Sequence, residues 1–192
     1  TVVSVDMVDV NGDGFGDMVV ESALGDVYTI LSDGLGSYDV PSLSLSALPT
    51  GNMYFKDYNN DGVPDLIVLD ELLGLLTVRL GVGDGTYGTG TTVSVGVLPS
   101  DLVMVDINSD GNQDAVLINV GDNSINVLLG DGLGGLVDTV GGVLTDLLGT
   151  IGGLGLDLPV AVVSADFNGD CRYDLAVWSD LNDSYVITLN QT

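Results

Sequence analysis

One nine-residue pattern, Asp-x-Asn-x-Asp-x-x-x-Asp, recurs four times and constrains this chain more than any other feature. It occupies Asp9–Asp17, Asp57–Asp65, Asp106–Asp114 and Asp166–Asp174. Oxygens at the first, third and fifth positions of a tight turn converge on one point, and a hard cation such as Ca2+ takes roughly six to eight oxygens. The residues so placed are Asp9, Asn11 and Asp13; Asp57, Asn59 and Asp61; Asp106, Asn108 and Asp110; and Asp166, Asn168 and Asp170. Each loop therefore reads as a metal site. The competing reading is an Asx turn closed by its own hydrogen bonds, without metal.

The loop starts are 48, 49 and 60 residues apart, a period that suits a propeller blade or solenoid unit. Short β-branched runs flank every loop, such as Leu102–Val105 before the third and Leu66–Val68 after the second, which is a hairpin signal. Ile30, Val78, Val127 and Ile187 each fall 21 residues after their loop's first Asp and predict a third strand in one fixed register. Asp33-Gly34, Asp84-Gly85 and Asp131-Gly132 mark the next turn, and a run such as Thr91–Val97 predicts a fourth strand. With 28 Gly and many Val, Asn and Asp, helix is disfavoured. The reading is one all-β repeat domain, with units at about 1–50, 51–99, 100–142 and 159–192.

Two segments depart from the repeat. An insertion at 143–158 is rich in Gly and Leu, and reads either as a surface loop or as an apolar contact segment around Leu147, Leu148, Ile151, Leu154 and Leu156. The fourth unit stops at Thr192, after its third strand, which predicts an unpaired edge. Bare edges invite pairing, so Thr1–Val5 or a neighbouring molecule is expected to supply the missing strand.

The net charge is −25, from 28 acidic and 3 basic residues, and twelve of the Asp lie in the loops. Such a surface disfavours nucleic acid and anionic membranes. The longest apolar stretch, Leu147–Leu156, is ten residues with four Gly, too short to span a bilayer. Hydrophobic residues make up 45% of the chain in periodic runs, which argues against disorder. The chain begins at Thr1 without a signal peptide, as expected of a mature or trimmed product, and its one cysteine, Cys171, has no intrachain partner.

Histidine is absent, which removes the commonest general base and the usual triads. No nucleophile elbow or phosphate loop is present, and zinc has no ligand set. Carboxylate pairs suit a glycosidase, but calcium geometry accounts for these Asp residues. The expectation is therefore no enzyme, with a polysaccharide-active one as the remote alternative. Glu21 and Glu71 are expected on the solvated surface, and Trp178 in the core of a second strand. Asn182 and Asn190 head N-glycosylation sequons.

Asp166–Asp170, Asp9–Asp17 and Leu129–Gly134 together resemble the FG-GAP/VCBS repeat, the calcium-bearing β-propeller repeat of integrin α-subunits and of many secreted bacterial proteins. The resemblance covers nearly the whole chain outside the insertion. It implies a β-propeller-type array of four blades, the last lacking its outer strand. It also completes each ligand set with the carbonyl at position seven and the carboxylate at position nine. These are Phe15 and Asp17, Val63 and Asp65, Asn112 and Asp114, and Arg172 and Asp174. Loop position twelve is Val20, Val68, Leu117 or Val177 where an EF-hand needs Glu, so that reading fails. The fourth loop departs by placing Cys171 where the others have Gly, and Arg172 beside it; three Ca2+ sites are expected, with the fourth in question.

Calcium loops of this kind imply a place outside the cell or on its surface. The function expected is a calcium-binding structural or adhesive repeat protein. It would self-associate through the open strand edge or the 143–158 insertion into a fibre or surface layer. The alternative is a monomeric lectin-like or protein-binding adhesion module, with an extracellular protein or glycan as partner. Whether four blades close into a ring, and whether the chain is a fragment, stay open in the sequence.

Overall fold

A computed structural model of the chain describes residues 1–46, 51–138, 159–180 and 184–190. All regular structure among them is β-strand, in four antiparallel sheets. The first sheet runs β1 (Val2–Val8), β2 (Asp17–Ser22), β3 (Val27–Ile30) and β4 (Ser42–Leu45), in that spatial order. The second runs β5 (Asn52–Lys56), β6 (Asp65–Asp70), β7 (Leu75–Arg79) and β8 (Thr91–Ser94). The third runs β9 (Pro99–Val105), β10 (Asp114–Asn119), β11 (Ser124–Gly130) and β12 (Leu136–Asp138). The fourth has three described strands, β13 (Pro159–Ala165), β14 (Asp174–Ser179) and β15 (Ser184–Thr188). The chain is thus an all-β repeat array of propeller type, with each Asp-rich loop joining the first two strands of a sheet.

Strand chemistry follows burial. In β2 every second residue is buried, the period of a pleated strand. In β6 and β10 all six residues are buried, and both read as continuous apolar runs bounded by Asp and by Asp or Asn. Two compact units result, Thr1–Asp70 with Thr77–Thr92, and Glu71–Leu76 with Val93–Thr192. In the first, Val10, Val19 and Val27 pack with Leu66, Val68 and Tyr87. In the second, Val116, Ile118 and Val127 pack with Val162, Leu175 and Val177.

Four expectations change. Thr1–Val5 is not a strand donated elsewhere, because Val2–Val8 is one strand, β1, paired with β2 from Val2↔Ser22 to Val8↔Asp17. The fourth strand of the second repeat is shorter than expected, ending at Ser94. The register of the third strand is not uniform: Val127 pairs with Val116 and Ile187 with Ala176, but Ile30 pairs with Met18, one position earlier in its repeat. The hairpin after β2 is one residue shorter, which moves Ile30 to the opposite face of its sheet. Trp178 is 38% exposed rather than core, and stacks on Tyr185 with ring centroids 6.3 Å apart. The 143–158 insertion and Asn182 lie outside the described residues.

Candidate metal loops and an acidic pocket

The four loops share one hydrogen-bond plan. The carboxylate at position one folds over the turn: Asp9 Oδ2 accepts the Gly14 N–H at 2.8 Å, and Asp57, Asp106 and Asp166 do the same for Gly62, Gly111 and Cys171 at 2.9 Å each. The Asn at position three accepts the N–H of position five through Oδ1, from 2.9 Å in the third and fourth loops to 3.1 Å in the second. Its Nδ2 donates to the position-five carboxylate at 2.8–3.0 Å. The other oxygen of that carboxylate accepts the N–H of position seven. This closure demands left-handed backbone at positions four and six. Gly14, Gly62 and Gly111 supply position six at φ near +90°, and Cys171 does so at φ 67°. A Cβ added at any of those three glycines would meet nothing within 4 Å, so only the backbone angle calls for glycine there.

Position nine behaves differently. Asp17, Asp65, Asp114 and Asp174 are fully buried. One oxygen of each accepts the N–H of loop position two: Val10 at 3.0 Å, Tyr58 at 2.8 Å, Ile107 at 3.0 Å and Phe167 at 2.9 Å. The other accepts an N–H beyond the third strand's core: Ser32 at 2.8 Å, Gly81 at 2.7 Å, Gly130 at 2.8 Å and Asn190 at 2.7 Å. The offset is 15 residues in the first repeat and 16 in the other three, matching the shorter first hairpin. Burial pushes the Asp114 carboxyl up to about 6 and raises Asp65 as well. At Asp166, exposed at position one, the Cys171 N–H is the main influence and holds the carboxyl below its ordinary value.

The donor set suits a hard cation: two carboxylates and an amide oxygen close in sequence, with a third carboxylate behind them. Each oxygen that accepts one N–H keeps a second lone pair. Among the described residues, however, no three carboxylates, cysteines or histidines stand together as a cage, because the loop side chains turn to the loop's own amides. The residues fit calcium by chemistry, and the arrangement described is the hydrogen-bonded turn.

In the first unit, an open hollow of about 460 Å³ is lined by residues of β1, β2 and β5, among them Ser4, Asp6, Glu21, Asn52 and Tyr54. Glu21 is 4% exposed, against the expectation of a solvated position, and its carboxylate accepts a hydrogen bond from Ser4 Oγ at 3.3 Å. The sequence carried a signal for it. Glu21 stands where the other repeats place Leu69, Ile118 and Trp178, so a carboxylate replaces an apolar residue at an otherwise apolar position. Asn190 is also corrected: it is 3% exposed and its Nδ2 donates to the Ile107 carbonyl at 2.6 Å, so the sequon nitrogen is not available to a glycan.

Hairpin sheets strung on recurrent Asp loops define an all-β repeat protein of propeller type. The family model described as FG-GAP-like repeat matches residues 9–68 and again 57–117, together more than half of the chain, and the chain belongs to that family. No curated protein matches it. Among solved structures it is similar to a lectin of Agrocybe aegerita, described as specifically recognising non-reducing terminal N-acetylglucosamine, at a TM-score of 0.66 and 18% identity. The match covers 98% of this chain and 49% of the lectin, so the chain spans about half the lectin's length. The likeness concerns the fold. No helix among the described residues is long and apolar enough to cross a membrane.

Proposed function

We propose that the chain is an extracellular adhesion module whose repeat loops are stiffened by calcium. The observation that carries this reading is the fourfold repetition of one donor set, Asp, Asn and Asp at positions one, three and five, in one loop conformation. Asp9, Asn11, Asp13 and their counterparts in the other three loops would hold the ion, with position nine behind them. When bound, the ion supplies the positive charge that an acidic turn lacks. A site occupied at a hundredfold excess over its Kd adds about 2.7 kcal/mol of stability. The test is a calorimetric calcium titration with thermal melts in calcium and in chelator. Several ions per chain and a raised Tm are expected; a Tm that ignores chelator sinks the reading.

The pocket at Glu21 favours a second reading, in which the module holds a glycan. Carboxylate and amide oxygens from Asp6, Glu21 and Asn52 accept hydroxyl hydrogen bonds, while Met53 and Tyr54 offer apolar surface. The solved lectin of similar fold makes sugar the first ligand class to try. A glycan array with the wild type and Glu21→Gln decides: retention by the wild type alone supports this reading, and no retention by either removes it.

A further inference from the structure

Sheet packing in this chain follows one rule. Counting from the first Asp of each loop, positions 11 and 13 of the second strand point to one face of the sheet and positions 10 and 12 to the other. In the first unit, Val19 at position 11 packs with Leu66 and Val68 at positions 10 and 12 of the next repeat. In the second unit, Val116 and Ile118 at positions 11 and 13 pack with Leu175 and Val177 at positions 10 and 12 of the next repeat. The odd face of one sheet thus covers the even face of its successor.

Two faces are left over, and they are complementary by the same rule. On the first sheet the even face is open: Met18 and Val20 pair with Met7 and Val5 on one side, and with Ile30 and Tyr28 on the other. Val5 is 53% and Met7 59% exposed. On the fourth sheet the odd face is open: Ala176 pairs with Val163 and Ile187, and Trp178 with Ala161 and Tyr185. Val163 is 57% and Tyr185 64% exposed. None of these residues is charged. A solvated sheet face normally alternates to polar residues, and neither of these does.

We propose that the odd face of the fourth sheet docks on the even face of the first sheet of a second copy. Such contacts are head to tail, and copies would add repeat upon repeat. Two observations choose a second copy as the occupant. The chain already buries odd faces on even faces twice. The two open faces are one of each kind. Trp178 and Tyr185 are the residue types that anchor such contacts. The contact does not draw on the Asp loops, so it stands or falls apart from the calcium reading. Because both partners are strongly acidic, added salt should strengthen it by screening their repulsion.

The experiment is light scattering on the wild-type chain, on Val20→Lys, on Trp178→Lys, and on an equimolar mixture of the two variants. Circular dichroism checks that each variant keeps its β-fold, as expected for side chains on open faces. The wild type should exceed the monomer mass of 19.7 kDa, and more so at high salt. Each variant alone should be monomeric. Their mixture should give a one-to-one complex that grows no further, since Val20→Lys keeps the donor face and Trp178→Lys the acceptor face. Association of the wild type with no complex in the mixture would overturn the head-to-tail contact. A monomeric wild type at high salt would overturn self-association and leave the faces to another occupant, such as a glycan or a foreign protein.

Discussion

Asp114 and Gly130 are sixteen residues apart, yet the Gly130 N–H donates to the Asp114 carboxylate at 2.8 Å. The second oxygen of Asp114 accepts the Ile107 N–H at 3.0 Å. One buried side chain therefore ties the start of its loop to the end of the third strand. Asp17, Asp65 and Asp174 repeat this in the other sheets. The role is structural, whatever the same oxygens contribute to a cation.

Asp114→Ala should lower stability by about 2–5 kcal/mol, because two buried amides lose their acceptor. The loss should already be present in chelator, where no ion contributes. Asp110→Ala, at the exposed position five, should cost no more than about 1 kcal/mol in chelator and show its effect in calcium. Urea unfolding of both variants in both buffers checks this. A clamp variant as stable as the wild type in chelator would remove the clamp.

Calcium removal should act loop by loop. Asp13→Ala, Asp61→Ala and Asp110→Ala should each reduce the ions bound by about one, as each removes a carboxylate from one donor set. For one site held far above its Kd, chelator should lower Tm by about 5–10 °C. Calorimetry and thermal melts on the three variants test this. Wild-type stoichiometry in all three variants would place calcium outside the loops.

The loops, hairpins and sheet count were legible because each rests on short-range chemistry: Asx and Gly turns between β-branched runs. What the pattern could not show depended on partners further along the chain. Nothing in Asp-x-x-x-Asp says whether the last carboxylate faces the loop or the amides of Ser32, Gly81, Gly130 and Asn190. The face of Ile30 turned on one residue of hairpin length, invisible to a count from the loop. Trp178 was assigned to the core from its strand, but whether a strand face is covered depends on the neighbouring sheet. Glu21 was readable only by comparison with Leu69, Ile118 and Trp178 at the same repeat position.

Cys171 occupies the left-handed position that Gly14, Gly62 and Gly111 fill in the other loops. A side chain there strains the backbone, by about 1–2 kcal/mol for an ordinary L-residue. Cys171→Gly should therefore stabilise the chain by about 1 kcal/mol and tighten calcium in the fourth loop. The exposed thiol is lost as well, so both proteins are compared under reducing conditions. A drop in stability would contradict the loop conformation.

Tyr87 sits in the core of the first unit, 8% exposed, and its buried hydroxyl has no hydrogen-bond partner among the described residues. Tyr87→Phe removes an unsatisfied polar group and should raise stability at neutral pH by about 1 kcal/mol. Burial, aided by the charges of Asp65 and Asp17, holds the phenol well above its ordinary value of 10.0. Above pH 10 the unfolded chain then loses a proton that the folded chain keeps. Stability consequently falls as pH rises past that point, by up to about 1.4 kcal/mol per pH unit for this group. Phenylalanine cannot ionise, so the variant should lose that part of the alkaline slope. Urea unfolding of both proteins between neutral pH and pH 11 measures it, and parallel alkaline slopes would show that Tyr87 ionises in the folded chain as it does in the unfolded one.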